Sequence, residues 1–224
     1  MQLGTDQGTK EDECLILNIN KVMAISTEGG FIRGKMNGKV YRVMNGKQYV
    51  KRAAKKVHVP RTEAQKRHWA AFGALARLSA DMKEASLIGL HPIAKRRDVK
   101  EFSVFRKMNK DYVDADKVNY ARLVLSYGSV TLPWFEEAKL EDGRVLKVNF
   151  EEGGGNSDDK VFVFVYCPEK RMSGMTMNVR RSDRKAELEL PEEWSGCAVH
   201  VYGFVKESSR KVSMTKYLGQ VTLP

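Results

Sequence analysis

Cysteine is scarce. The 224 residues hold three, Cys14, Cys167 and Cys197, too few and too scattered for a disulfide framework, and no pair has zinc-ligand spacing. A reducing compartment is the simpler setting. Long apolar runs are missing too: none approaches the ~20 residues that a membrane span needs, so no membrane association is expected. The opening MQLGTDQGTKEDE lacks the basic start, apolar stretch and small-residue cleavage site of a secretory signal. A cytoplasmic location is expected, or a virion if the chain is phage-derived. The histidines His58, His68, His91 and His200 form no H-x-x-x-H pair and join no cysteine or carboxylate cluster, which argues against a metal site. There is no G-x-S-x-G elbow. Cys167 and Cys197 fall in apolar runs, where a core thiol is expected rather than a nucleophile. The glycine-rich EEGGGNSDD, residues 151–159, is the wrong sign for phosphate and carries no Gly-Lys-Ser or Gly-Lys-Thr. A flexible hairpin loop is the plain reading. A loose calcium site is the alternative, because its oxygens suit but its spacing fits no EF-hand. No catalytic residue and no cofactor emerge, and a non-enzyme is expected.

Acidic residues are nearly absent from one stretch. Between Arg33 and Arg67 the basic residues are Arg33, Lys35, Lys39, Arg42, Lys47, Lys51, Arg52, Lys55, Lys56, Arg61, Lys66 and Arg67, against the single acid Glu63. This segment carries the whole formal net charge of +11, since the chain has 39 basic and 28 acidic residues in all. A charge-balanced body with one basic arm points to a polyanionic partner: DNA or RNA, an anionic surface or an acidic protein face. The plainer alternative is that these lysines and arginines only solvate a hairpin and a helix start. If half of them met phosphates, affinity would fall roughly a thousandfold between 50 and 200 mM salt. Aromatics interleave with the arm at Phe31, Tyr41, Tyr49 and Trp69. Tyr41 and Tyr49 are the candidates for stacking on bases, while Trp69 fits a core stripe.

Along the chain, residues 1–30 read as an N-terminal extension with one apolar patch at Cys14–Ile19. FIRGKM, KVYRVM and KQYVKR are then separated by Asn37-Gly38 and Asn45-Gly46, the dipeptide that suits a type I′ turn. A three-stranded meander follows, with mixed faces and little core of its own. Thr62 and Gln65 fit a capping box, and Trp69, Phe72, Leu75, Ala76, Ser79 and Met82 suggest an apolar stripe on a helix over about 62–85. A second helix is expected over about 93–108, with Val99, Phe102 and Phe105 as its stripe. From about residue 117 the texture turns to short β runs: NYARLVLSY, RVLKVNF, KVFVFVYC, MTMNV, KAELEL, CAVHVYGFV and KYLGQVTL. Seven short strands in about a hundred residues suggest a β-sandwich. KVFVFVYC reads as a strand covered on both faces, and KAELEL as an edge strand.

The stretch GGFIRGKMNGKVYRVMNGKQYVKR followed by VPRTEAQKRHWAAF resembles an uncharacterised Bacteroidetes family known only as a domain of unknown function. The shared features are a Gly-Lys-rich opening at Gly34 to Tyr41, the PRTEAQ helix start at Pro60 to Gln65, and a C-terminal sandwich with strands such as VFVFVYCPEK and VHVYGFV. The resemblance covers about residues 29–223. It implies a two-part architecture and no activity.

The expected fold class is α+β. An N-terminal extension (1–30) leads into a basic strand-and-helix arm (31–116), a β-meander plus helices. A C-terminal fibronectin-III-like or immunoglobulin-like β-sandwich (117–224) follows. The arm is expected to order against a neighbouring copy or a partner. The expected function is a structural component of a larger assembly, phage- or prophage-derived, with a homo-oligomer or other subunits as partners. A free nucleic-acid-binding protein using the same arm is the alternative.

Overall fold

The computed structural model describes residues 23–26, 30–54 and 61–224. The chain forms two compact units, residues 1–60 and 61–224. In the first, four strands pair antiparallel in chain order: β1 (Met23–Ser26), β2 (Ile32–Met36), β3 (Lys39–Met44) and β4 (Lys47–Arg52). The Asn-Gly pairs make the last two turns. Asn37 and Gly38 take φ of 48° and 69°, Asn45 and Gly46 50° and 71°. Two consecutive left-handed residues define the type I′ turn, whose twist matches that of the flanking strands. The expected meander is present, and β1 extends it along β2. The patch Cys14–Ile19 lies outside the described residues. No side chain described between residues 30 and 54 is fully buried, so among the described residues this sheet is one layer thick.

The second unit opens on α1 (Glu63–Asp81), capped as its sequence requires. The Gln65 N–H donates to Thr62 Oγ1 at 3.3 Å, and the Thr62 N–H donates to Gln65 Oε1 at 3.1 Å, which satisfies two orphan backbone donors. Helices α2 (Lys83–Gly89), α3 (His91–Arg96) and α4 (Glu101–Asn109) follow. The single helix expected over 93–108 is divided into α3 and α4, and Asp98 between them takes φ 51°. The strands are β5 (Trp134–Phe135), β6 (Lys139–Glu141), β7 (Val145–Glu151), β8 (Lys160–Cys167), β9 (Met172–Met175), β10 (Val179–Arg180), β11 (Lys185–Glu189), β12 (Ala198–Lys206) and β13 (Lys216–Thr222). One sheet runs β10-β8-β12-β13 with β9 also on β8; the other runs β11-β7-β5 with β6 also on β7. All these pairings are antiparallel. The fold is mixed, with helices and antiparallel sheets.

Strand β8 shows why the layers stack as they do. Its odd positions Val161, Val163, Val165 and Cys167, with Val199, Val201 and Val205 of β12, share one core with Leu146, Val148 and Phe150 of β7. Its even positions Phe162, Phe164 and Tyr166, with Tyr202 and Phe204, share another core with Leu75, Leu78, Met82, Leu90, Ile93 and Phe105 of the helical region. A strand whose successive side chains point to opposite faces is thus covered on both, as its unbroken apolar run implies. KAELEL becomes edge strand β11, with Ala186 turned inward.

The helices share a core with the aromatic face of β8 and β12, and the compact units divide at residue 60. Two strand expectations are corrected here. NYARLVLSY is not a strand. It is a short 3-10 turn (Tyr120–Arg122) and an irregular segment whose Leu123 and Leu125 enter the helix-side core. Side chains satisfy that segment's backbone: Asn109 Oδ1 accepts from the Val124 N–H at 2.7 Å, and Thr215 Oγ1 accepts from the Leu125 and Ser126 N–H groups at 2.9 and 2.6 Å. MTMNV is interrupted as well, because Asn178 takes φ 64° between β9 and β10. Among the described residues no helix is long and apolar enough to cross a membrane.

Candidate polyanion interface

Strand register sorts the basic residues of the first unit onto faces. Lys35 pairs with Val40, Val40 with Lys51, Arg42 with Tyr49 and Met44 with Lys47. Directly opposed residues share a face, and so do residues two apart. One face therefore carries Arg33, Lys35, Arg42, Lys47 and Lys51 with Val40, Met44 and Tyr49. The other carries Ile32, Met36, Tyr41, Val43, Gln48 and Val50, with Lys39 and Arg52 opposed at one end. The first face is open: all five of its cations are exposed, and Tyr49 is 43% exposed. The second is more covered, with Ile32, Met36, Tyr41, Val43 and Gln48 half-buried.

No carboxylate is described on the basic face, and among the described residues none of its five cations forms an ion pair. Val40, Arg42, Met44, Tyr49 and Lys51, with Arg52, line a hollow of about 410 Å³ on it. The mixed alternation that looks uninformative along one strand becomes a segregated pattern once three strands are in register.

The remaining candidates are not gathered there. Tyr41 lies on the opposite face of the sheet from Tyr49. Lys55 and Lys56 lie outside the described residues, as does His58. Arg61, Lys66 and Arg67 belong to the second unit. Lys66 donates to Glu63 at 2.6 Å, and Arg67 lines a cleft of about 620 Å³ with His68, Asp111 and Asp114. The Arg61 guanidinium lies 3.7 Å from the centre of the Trp69 ring. Trp69, expected in the core stripe, is 58% exposed, and Phe72 is 53% exposed. The buried positions of α1 are Leu75, Leu78 and Ser79, a face offset from the stripe drawn through Trp69 and Phe72. Val99 and Phe102 of the second expected stripe are likewise exposed, whereas Phe105 is buried.

Two polar clusters in the second unit had no sequence signal. At the helix–sheet junction, Asp81 accepts from Tyr166 Oη at 3.0 Å and from Arg171 at 3.1 and 2.8 Å. Burial, with the Asp81 charge beside it, pushes the Tyr166 hydroxyl far above its ordinary range. His200 Nδ1 lies 2.9 Å from Tyr217 Oη, and its ring stacks on Tyr120 at 4.2 Å. Burial lowers its pKa.

The second cluster fills the glycine-rich loop. Arg181, fully buried, donates to the carbonyls of Glu152 at 2.5 Å and Thr131 at 2.7 Å, and its guanidinium lies 3.5 Å from Asp159. The loop expected to be flexible is wound around this side chain. Asp159 is committed to it, and among the described residues no group of His, Cys, Asp or Glu could hold a metal ion. Cys167 and Cys197 are buried, and burial, with hydrogen bonding to Glu169 and Cys167, pushes the Cys197 thiol up to about 11.

Fold and site together define a mixed α and β protein whose β-rich body is preceded by a basic sheet. The chain belongs to a family described as a family of unknown function (DUF6266), whose model matches residues 30–219 and so spans strands β2 to β4 of the basic sheet and most of the body. No curated protein and no solved structure matches the chain.

Proposed function

We propose that the chain is a non-enzymatic assembly protein that holds a polyanion, nucleic acid above all, on the open face of its N-terminal sheet. The observation that carries this reading is the segregation of Arg33, Lys35, Arg42, Lys47 and Lys51 onto one exposed face without a carboxylate among them. Uncompensated like charges gathered on one face repel one another, and a line of phosphates relieves that repulsion while releasing counterions. Tyr49 adds a flat surface among the cations. In this reading the two-sheet body is an immunoglobulin-like or fibronectin-III-like scaffold, and the finished assembly contains several copies or other subunits.

The test is fluorescence anisotropy with labelled DNA at several salt concentrations. Arg42→Glu with Lys51→Glu should weaken binding strongly and lower the salt slope by about 2 or more. Lys39→Glu with Gln48→Glu, both on the opposite face and outside the hollow, should do much less. Equal effects of the two pairs would remove the face-specific reading, and unchanged binding in both would remove the polyanion reading. Light scattering on the protein with DNA separates an assembly, which grows beyond one copy, from a free binding protein, which does not.

A further inference from the structure

The helices carry a second surface that the basic sheet does not account for. Trp69 and Phe72 stand about one turn apart on α1, and Phe102 of α4 is 46% exposed beside them in the same unit. Large aromatic side chains are normally buried because each carries a large apolar area. Here each ring is instead matched with an arginine. Arg61 lies over the Trp69 indole at 3.7 Å, yet the residue remains 58% exposed, so the arginine does not enclose it. The Arg106 guanidinium lies 5.2 Å from the Phe72 ring centre and 5.0 Å from that of Phe102. Among the described residues Arg106 has no ion pair, and its Nε is shut away from solvent without an acceptor. The rings hold the guanidinium in place while leaving its charge uncompensated.

The neighbouring carboxylates do not supply the missing partner: Glu63 accepts from Lys66 and Glu101 is bonded to His91. The surface thus offers flat apolar faces and unneutralised planar cations side by side. Single-stranded nucleic acid offers the complement, with exposed base faces alternating with phosphates. A duplex keeps its base faces stacked inside, and an acidic peptide brings charge without flat faces.

We propose that Trp69, Phe72 and Phe102 are stacking platforms for single-stranded DNA or RNA, with Arg106 and Arg61 meeting its phosphates. This deepens the polyanion reading, and rests on it, by naming the form of nucleic acid the chain prefers. The experiment uses the full chain and two probes of equal length, a labelled single-stranded oligodeoxynucleotide and its duplex. Trp69→Leu, Phe72→Leu and Phe102→Leu keep an apolar surface but remove the flat faces. Each should weaken single-strand binding on the order of tenfold with duplex affinity unchanged. Phe72→Tyr should retain binding.

Circular dichroism melts show whether each variant is folded, which is expected because the altered side chains are exposed. Unchanged single-strand affinity in the leucine variants would overturn the proposal while leaving the basic-sheet reading intact, as would equal losses on both probes. Loss in the leucine variants with no effect of the Arg42→Glu and Lys51→Glu pair would sink the basic-sheet reading alone. Absence of binding to either probe by the unaltered protein would end both. Self-association that disappears in Trp69→Leu would show that the surface docks a second copy, and would also overturn the proposal.

Discussion

At the scale of the residue, Arg181 anchors the glycine-rich loop. It is a long cation with no exposure, held by two carbonyls and by Asp159, itself 1% exposed. The loop closes over it through Gly155, where an added Cβ would lie 2.7 Å from the guanidinium at φ +148°. Only a residue without a side chain allows that approach. Removing one partner of a buried pair leaves the other charged and unsolvated, so Arg181→Ala should cost about 3–5 kcal/mol, read by chemical denaturation. A loss under 1 kcal/mol would mean that water enters and solvates Asp159.

His200 gives a pH signature. Burial depresses its pKa, so the folded state favours neutral imidazole, whereas the unfolded chain takes up a proton near pH 6.5. The stabilisation is whole above that pH and is lost as pH falls toward and through the lower folded value. The melting temperature should therefore drop between pH 7.5 and 5.5, and drop less in His200→Phe. Parallel drops would assign the effect to other groups.

At the scale of elements, α1 separates what local chemistry dictates from what packing dictates. Its capping box depends on residues three apart and forms as Thr62 and Gln65 require. Its buried face depends on what lies beneath the helix. Residues 61–70 are all exposed, and the core begins only near Leu75. Periodicity finds an apolar stripe but does not say where along the helix the covering sheet starts, which is why Trp69 and Phe72 read as core. Thr62→Ala should accordingly free the first turn, at about 1 kcal/mol, without moving the global transition. Amide exchange at residues 63–66 should rise while the denaturation midpoint holds; a shifted midpoint would show that the first turn is coupled to the core.

The sheet of the first unit has the opposite balance. Its turns are set by Asn-Gly dipeptides, yet none of its described side chains between residues 30 and 54 is fully buried. Gly46→Val, at φ +71°, should disrupt the β3–β4 turn and weaken DNA binding without altering the melting of residues 61–224. Unchanged binding would separate the sheet from the polyanion.

The whole molecule pairs a thin basic sheet with a body of two sheets and a helical cover. The burial difference predicts unequal stability, because apolar burial is the main favourable term in folding. Limited trypsin should cut residues 30–54 first and leave a resistant fragment beginning near Arg61, and DNA should slow the first cuts. Simultaneous loss of both units would contradict the difference in stability.

Several features were written in the sequence because they are set by nearest neighbours or by a short period: the two left-handed turns, the helix cap, the doubly covered strand and the concentration of charge before residue 68. Others could not be read there. The helical cover of the aromatic face, the exposure of Trp69, the burial of Arg181, and the side-chain bonds that replace strand pairing in NYARLVLSY all depend on groups distant in the chain. Local steric preference selects a turn or a helix start. Which face of an element leaves water is settled only when another element arrives to cover it.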